Sequence, residues 1–192
     1  ALGGGVSGVP AVVTADFGSY MYIESLDRSS GIRVTPGGYP VNTLVAGSGV
    51  VKTAENGERY IESSSLKATG SGSVESLHIQ TKPLWSGDYL YVPGTGAGQK
   101  GFAGGAGLTT VGLLVSTIGQ VASTGPTSFT IDDGYGKPVR VPVPTGGRAP
   151  GLGEFVGVVG VVSIDNGGSI LTPVILPRGP ADVVPASNLL RQ

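Results

Sequence analysis

Apolar residues come in short runs of about four to eight, broken by Gly, Pro, Asn and Asp, and no long stretch keeps the i, i+3, i+4 spacing of a helix. Residues 20–24 (Tyr-Met-Tyr-Ile-Glu) read as a strand. Because strand side chains alternate, Tyr20 and Tyr22 share one face and Met21 and Ile23 the other. Residues 27–31 (Asp-Arg-Ser-Ser-Gly) form a polar turn, and the chain re-emerges as Ile32-Arg33-Val34. The same order returns at residues 129–141: Phe-Thr-Ile-Asp-Asp-Gly, then Val139-Arg140-Val141.

The likeness extends beyond the hairpin. A Gly-punctuated Val run ends at Val50-Val51 in the first copy and at Val161-Val162 in the second. Each is followed by an Asn-Gly turn signal, Asn56-Gly57 and Asn166-Gly167. The distance from Val34 to Asn56 is 22 residues and that from Val141 to Asn166 is 25. Each copy supplies five strands, with glycines such as Gly119 inside long strands where a bend is needed. That count and curvature predict an all-β protein of two small five-stranded OB-like barrels in tandem. The expected division is a Gly-rich segment at 1–10, barrel one at 11–70, a Gly-rich bridge at 71–111, barrel two at 112–178 and a tail at 179–192. The bridge is too long for a plain loop, so it is expected to wrap and pack, with Trp85 anchoring it on a barrel.

Composition agrees with short strands and tight turns. The chain has 192 residues, with 35 Gly and 14 Pro but 39% hydrophobic residues, enough for a core. Twelve basic and 13 acidic residues leave a net charge of −1, so no basic field draws in nucleic acid. There is no Cys, which removes disulfides and thiolate metal sites, and no apolar run reaches the roughly 18 residues of a membrane span. Residue 1 is Ala and the one Met, Met21, lies inside a strand; the expectation is a secreted protein whose signal peptide has been removed.

Candidate chemistry is sparse. Residues 96–101 match Gly-x-Gly-x-x-Gly, but a Gly-rich run follows in place of a helix, and no acid lies between Asp88 and Asp132 to hold a ribose. No cofactor is therefore expected. His78 is the only histidine, and there is no nucleophile elbow to go with it, so no catalytic residue is assigned. Asp132-Asp133-Gly134 and Asp165-Asn166-Gly167 hold oxygen ligands, yet lack the spacing of a calcium loop and suit hairpin turns as they stand. No metal site is assigned. A ligand face for an oligosaccharide or single-stranded nucleic acid would draw on Tyr20, Tyr22, Arg33, Arg59, Tyr60, Phe129 and Arg140, which combine aromatic stacking with positive charge.

The runs at 22–34, 94–101, 112–115 and 129–134 together resemble the tandem OB-fold-like modules of bacterial secreted and cell-surface proteins. The resemblance spans about residues 12–176 and implies two barrels and an extracellular setting, but no catalytic residues. The favoured expectation is a non-enzymatic structural subunit that assembles with copies of itself into a filament or surface layer. Its subunit contacts are expected at Val6, Val9, Val12 and Val13 in the first segment and at Val183, Val184, Leu189 and Leu190 in the last, where an apolar piece adds a strand to a neighbour. The alternative is the OB-type binding module.

Overall fold

The computed structural model describes residues 5–7 (backbone only), 10–167 and 170–186. The chain is all-β, 50% strand against 5% helix, and holds two closed five-stranded barrels in tandem. A short strand β1 (Gly5–Ser7) precedes the first barrel, which is built from β2 (Ala11–Asp16), β3 (Met21–Ser25), β4 (Gly31–Thr35), β5 (Thr43–Thr53) and β6 (Arg59–Ser71). The bridge carries β7 (Leu77–His78), the one-turn helix α1 (Thr81–Leu84) and a small hairpin of β8 (Tyr89–Val92) and β9 (Ala97–Gln99). The second barrel comprises β10 (Leu114–Thr124), β11 (Ser128–Asp132), β12 (Val139–Pro142), β13 (Phe155–Asp165) and β14 (Thr172–Leu176). A 3-10 turn at Pro180–Asp182 and β15 (Val183–Pro185) follow.

Both barrels close in the same way. Around the first the order is β2-β3-β4-β6-β5 and back to β2; around the second it is β10-β11-β12-β14-β13 and back to β10. In each, the third and fifth strands run parallel and every other pair is antiparallel. The first strand carries a bulge against the second at the same place in each copy, between Val13 and Ala15 and between Val121 and Ser123. A bulge bends the strand and sharpens its twist, which a barrel of only five strands needs in order to close. The repeated Ile-Arg-Val and Val-Arg-Val stretches are equivalent third strands, and the Asn-Gly turns are equivalent fourth-to-fifth hairpins.

The strands that open and close the described chain extend the ladders. β1 lies on β5, with Val6 opposite Gly49, and β15 lies on β13, with Val184 opposite Gly157. Val12 and Val13 do not form an exposed contact surface, because both are fully buried, Val13 in the core of the first barrel. Val183 and Val184 are half-buried and paired to their own chain. Val9, Leu189 and Leu190 fall outside the described residues.

Candidate functional site

The barrels meet along the outer face of β3. Met21 points inward and packs with Val13, Val34 and Val45. Tyr22 points the other way, as alternation requires, and packs with Ala15, Leu114 and Val161, so its ring spans both barrels. Phe17 and Tyr20 pack edgewise around it. Its hydroxyl donates to Glu58 Oε1 at 2.7 Å, and Ser163 of the second barrel donates to Glu58 Oε2 at 2.9 Å. Arg33 stands 3.8 Å from the same carboxylate, with its guanidinium over the Tyr20 ring. Burial raises the Glu58 carboxyl above its ordinary range, partly offset by the Tyr22, Ser163 and Arg33 contacts, and burial likewise raises the Tyr22 phenol.

A second buried carboxylate crosses the boundary. Glu24 Oε2 accepts the Leu114 backbone N–H at 2.8 Å, and Glu24 Oε1 is buried without a partner. Burial pushes this carboxyl up to about 6, against the pull of the Leu114 N–H and of Arg28. The two Asn-Gly turns also clasp one another. Asn56 donates to the Ile164 carbonyl at 2.9 Å, and Asn166 donates to the Glu55 carbonyl at 3.2 Å. Gly31 abuts Gly112 so closely that a Cβ on Gly31 would sit 2.1 Å from the Gly112 carbonyl oxygen. Apolar packing, side-chain hydrogen bonds in both directions and a glycine contact thus join the barrels.

This geometry relocates most of the residues that composition nominated for a ligand face. Tyr22 and Phe129 cannot offer a ring for stacking: they are 0% and 1% exposed, Tyr22 between the barrels and Phe129 in the second barrel's core. Tyr20 is half-buried in the same interface. Arg140 is paired with Asp165, the acid that ends β13. Arg33 and Arg59 do line a common space, and Tyr60 lies beneath the Arg33 guanidinium at 5.6 Å. The surrounding strand sequence hides this outcome. In the sequence Glu24 and Glu58 stand among the candidate aromatics and arginines, and only the meeting of segments about 100 residues apart makes them buried acceptors.

The space that Arg33 and Arg59 line is a cleft of about 950 Å³ at the end of the first barrel, between the β3–β4 turn and the bridge. Ile23, Ile32, Val51 and Ile61 form its apolar floor. The β8–β9 hairpin is one wall, with Tyr89 47% exposed beside it. Gln99 ties this wall to the barrel by accepting the Arg59 N–H at 2.8 Å and donating to the Gly57 carbonyl at 3.2 Å. Its hairpin is why residues 96–101 are glycine-rich: a Cβ on Gly98, whose φ is +64°, would lie 2.2 Å from the Tyr89 and Leu90 carbonyls.

The bridge treats the other barrel differently. Leu84 and Phe102 are part of the second barrel's core, and Trp85 packs on it with Lys137 over the indole. Asp133 of the β11–β12 turn accepts the Thr81 N–H at 2.7 Å and the Thr81 hydroxyl at 2.6 Å. Burial would raise this carboxyl, but the bonds from Thr81 and from the Tyr135 N–H together leave it lowered. Asp132 accepts the Gly134 N–H within its turn. The Asp-Asp-Gly and Asp-Asn-Gly stretches are therefore spent on turns, on the bridge and on the other barrel. His78 bonds Ser116 on the adjoining strand. Among the described residues no cluster of three metal-ligating side chains forms, and no helix is long and apolar enough to cross a membrane. No protein-family model, curated protein or solved structure matches the chain.

Proposed function

We propose that the protein is an extracellular structural subunit, a stiff two-barrel unit that joins copies of itself into a filament or layer by exchange of its first or last strand. The observation that carries this reading is the placement of β1 and β15. Each barrel is closed by its own five strands, so both are additions to finished ladders. A three-residue strand paired through its backbone can make the same ladder contacts with an identical neighbour, which is why strand exchange is a low-cost route to assembly. Exchange between two different surfaces propagates head to tail unless the rotation closes a ring.

Two further features support the reading. The polar and apolar links between the barrels make the pair one body, as a repeating subunit requires. The outer face of the second barrel carries Ile118 at 58%, Phe155 at 55% and, in the adjoining turn, Leu152 at 70% exposure. Ile118 pairs with Gly157 and Gln120 with Phe155, so Ile118 and Phe155 are diagonal neighbours on one face. Clustered exposed apolar side chains mark contact surfaces. Truncation after Arg178 tests the proposal by light scattering coupled to size exclusion. The full chain should form species well above one chain in mass, and either this truncation or removal of residues 1–7 should leave it single. Equal, single-chain mass for the full and truncated chains would overturn it.

A further inference from the structure

The two barrels provide an internal comparison. Four inward positions at the hairpin end correspond: Ile23, Ile32, Val51 and Ile61 in the first barrel, and Ile131, Val139, Val162 and Ile175 in the second. The correspondence is set by register, since Ile23 faces Ile32 and Val51 faces Ile61, while Ile131 faces Val139 and Val162 faces Ile175. In the second barrel all four are 0% exposed, within the core that includes Leu84 and Phe102 of the bridge. In the first barrel all four are only half-buried, and among the described residues no side chain plays the part of Leu84 and Phe102. The fold thus fills this end of one barrel and leaves the same end of the other as the cleft of about 950 Å³.

The rim of the cleft adds a charge preference. Its acids are engaged: Glu58 takes hydrogen bonds from Tyr22 and Ser163, and Asp27 accepts the Ser29 N–H at 3.0 Å. Its cations keep unused donors, although Arg33 also stands 3.8 Å from Glu58. Among the described residues Arg59 has no carboxylate partner and its guanidinium bonds only Thr53, and Arg33 Nε is buried without an acceptor. Arg59 falls on the same side of β6 as Ile61, two residues on, which sets the free guanidinium above the apolar floor. Tyr89 and the hydroxyls of Ser25, Ser29 and Ser30 complete the opening.

We propose that this open end binds a small amphipathic carboxylate, its aliphatic or aromatic body lying on Ile23, Ile32, Val51 and Ile61 and its carboxylate against Arg59. The body takes the place that Leu84 and Phe102 hold in the second barrel, and the head takes the unused guanidinium donors. The site is independent of the assembly reading, since Arg59 and the four apolar residues lie in neither β1 nor β15 nor the Ile118–Phe155 face.

Isothermal titration calorimetry with sodium dodecanoate, below its micellar concentration, is the test, with dodecyltrimethylammonium as the control of opposite charge. One saturable site for dodecanoate, and none for the cationic amphiphile, is expected. Arg59→Gln should weaken dodecanoate roughly tenfold, the loss of one charge-assisted contact, with the circular dichroism spectrum unchanged. Ile32→Trp should fill the cleft and abolish binding. Absence of a saturable site in the native chain, equal binding of both amphiphiles, or undiminished affinity in Arg59→Gln would each overturn the proposal. Should Ile32→Trp fail to fold, Val51→Phe supplies the same plug from another position of the apolar floor.

Discussion

Replacing Glu24 by glutamine should stabilise the protein in mildly alkaline solution and do little in acid. Glu24 is 1% exposed, has one oxygen on the Leu114 N–H and has the other without a partner. Burial penalises its charged form, so the folded chain holds this carboxyl at about 6, above its ordinary 4.5. A raised folded pKa favours the native state when the group is protonated. That advantage is complete below the unfolded pKa and is lost as the pH rises through the folded one. Each unit of displacement corresponds to about 1.4 kcal/mol, so ionising Glu24 costs the native state about 2 kcal/mol by about pH 8. Glutamine keeps an oxygen for the Leu114 N–H and carries no charge. Urea unfolding of both proteins at about pH 4 and pH 8 reads the difference directly, and common effects of other carboxyls cancel in the comparison. The Glu24→Gln variant should be the more stable by about 2 kcal/mol at the higher pH and nearly equal at the lower. A pH-independent difference, or a destabilised variant at pH 8, would refute the reasoning.

Gly31→Ala should cost about 3 kcal/mol in urea unfolding, because its Cβ meets a backbone carbonyl at 2.1 Å and only a shift of one barrel against the other relieves the clash. Asp133→Ala should release α1 and shift the fluorescence of Trp85, the single tryptophan, with a loss of about 2 kcal/mol; an unchanged emission maximum would contradict the anchoring role assigned to the Thr81 bonds. Tyr22→Phe should cost about 1 kcal/mol at neutral pH through the lost bond to Glu58, measured by thermal unfolding, and no loss would place that hydroxyl outside the network that joins the barrels.

The barrel strands were legible because their signals are local. Alternation marks β3 and β11, and Asn-Gly marks the turns between β5 and β6 and between β13 and β14. The ends were less so. β6 runs on to Ser71, past Leu66, because Lys67, Ala68, Gly70 and Ser71 pair with β5 through the backbone and show no apolar alternation. The helix Thr81–Leu84 is one turn long, too short to show a period, and its place is set by Asp133, 52 residues away. The tyrosine and arginine cluster of the first barrel was visible as a cluster, but its use was not. Whether Tyr22 stacks on a ligand or packs between domains depends on Leu114 and Val161 arriving from the other barrel. The open cleft was invisible for the same reason: equivalent positions carry similar residues in both copies, and only the path of the bridge fills one end and not the other.

The claim most in need of a direct test is assembly. Negative-stain electron microscopy of the purified full chain at moderate salt, beside a Phe155→Glu variant, reads it in one experiment. The account predicts regular filaments or sheets with a two-barrel repeat from the native chain, and short or no assemblies from the variant. Dispersed particles of single-chain size in both samples would contradict it.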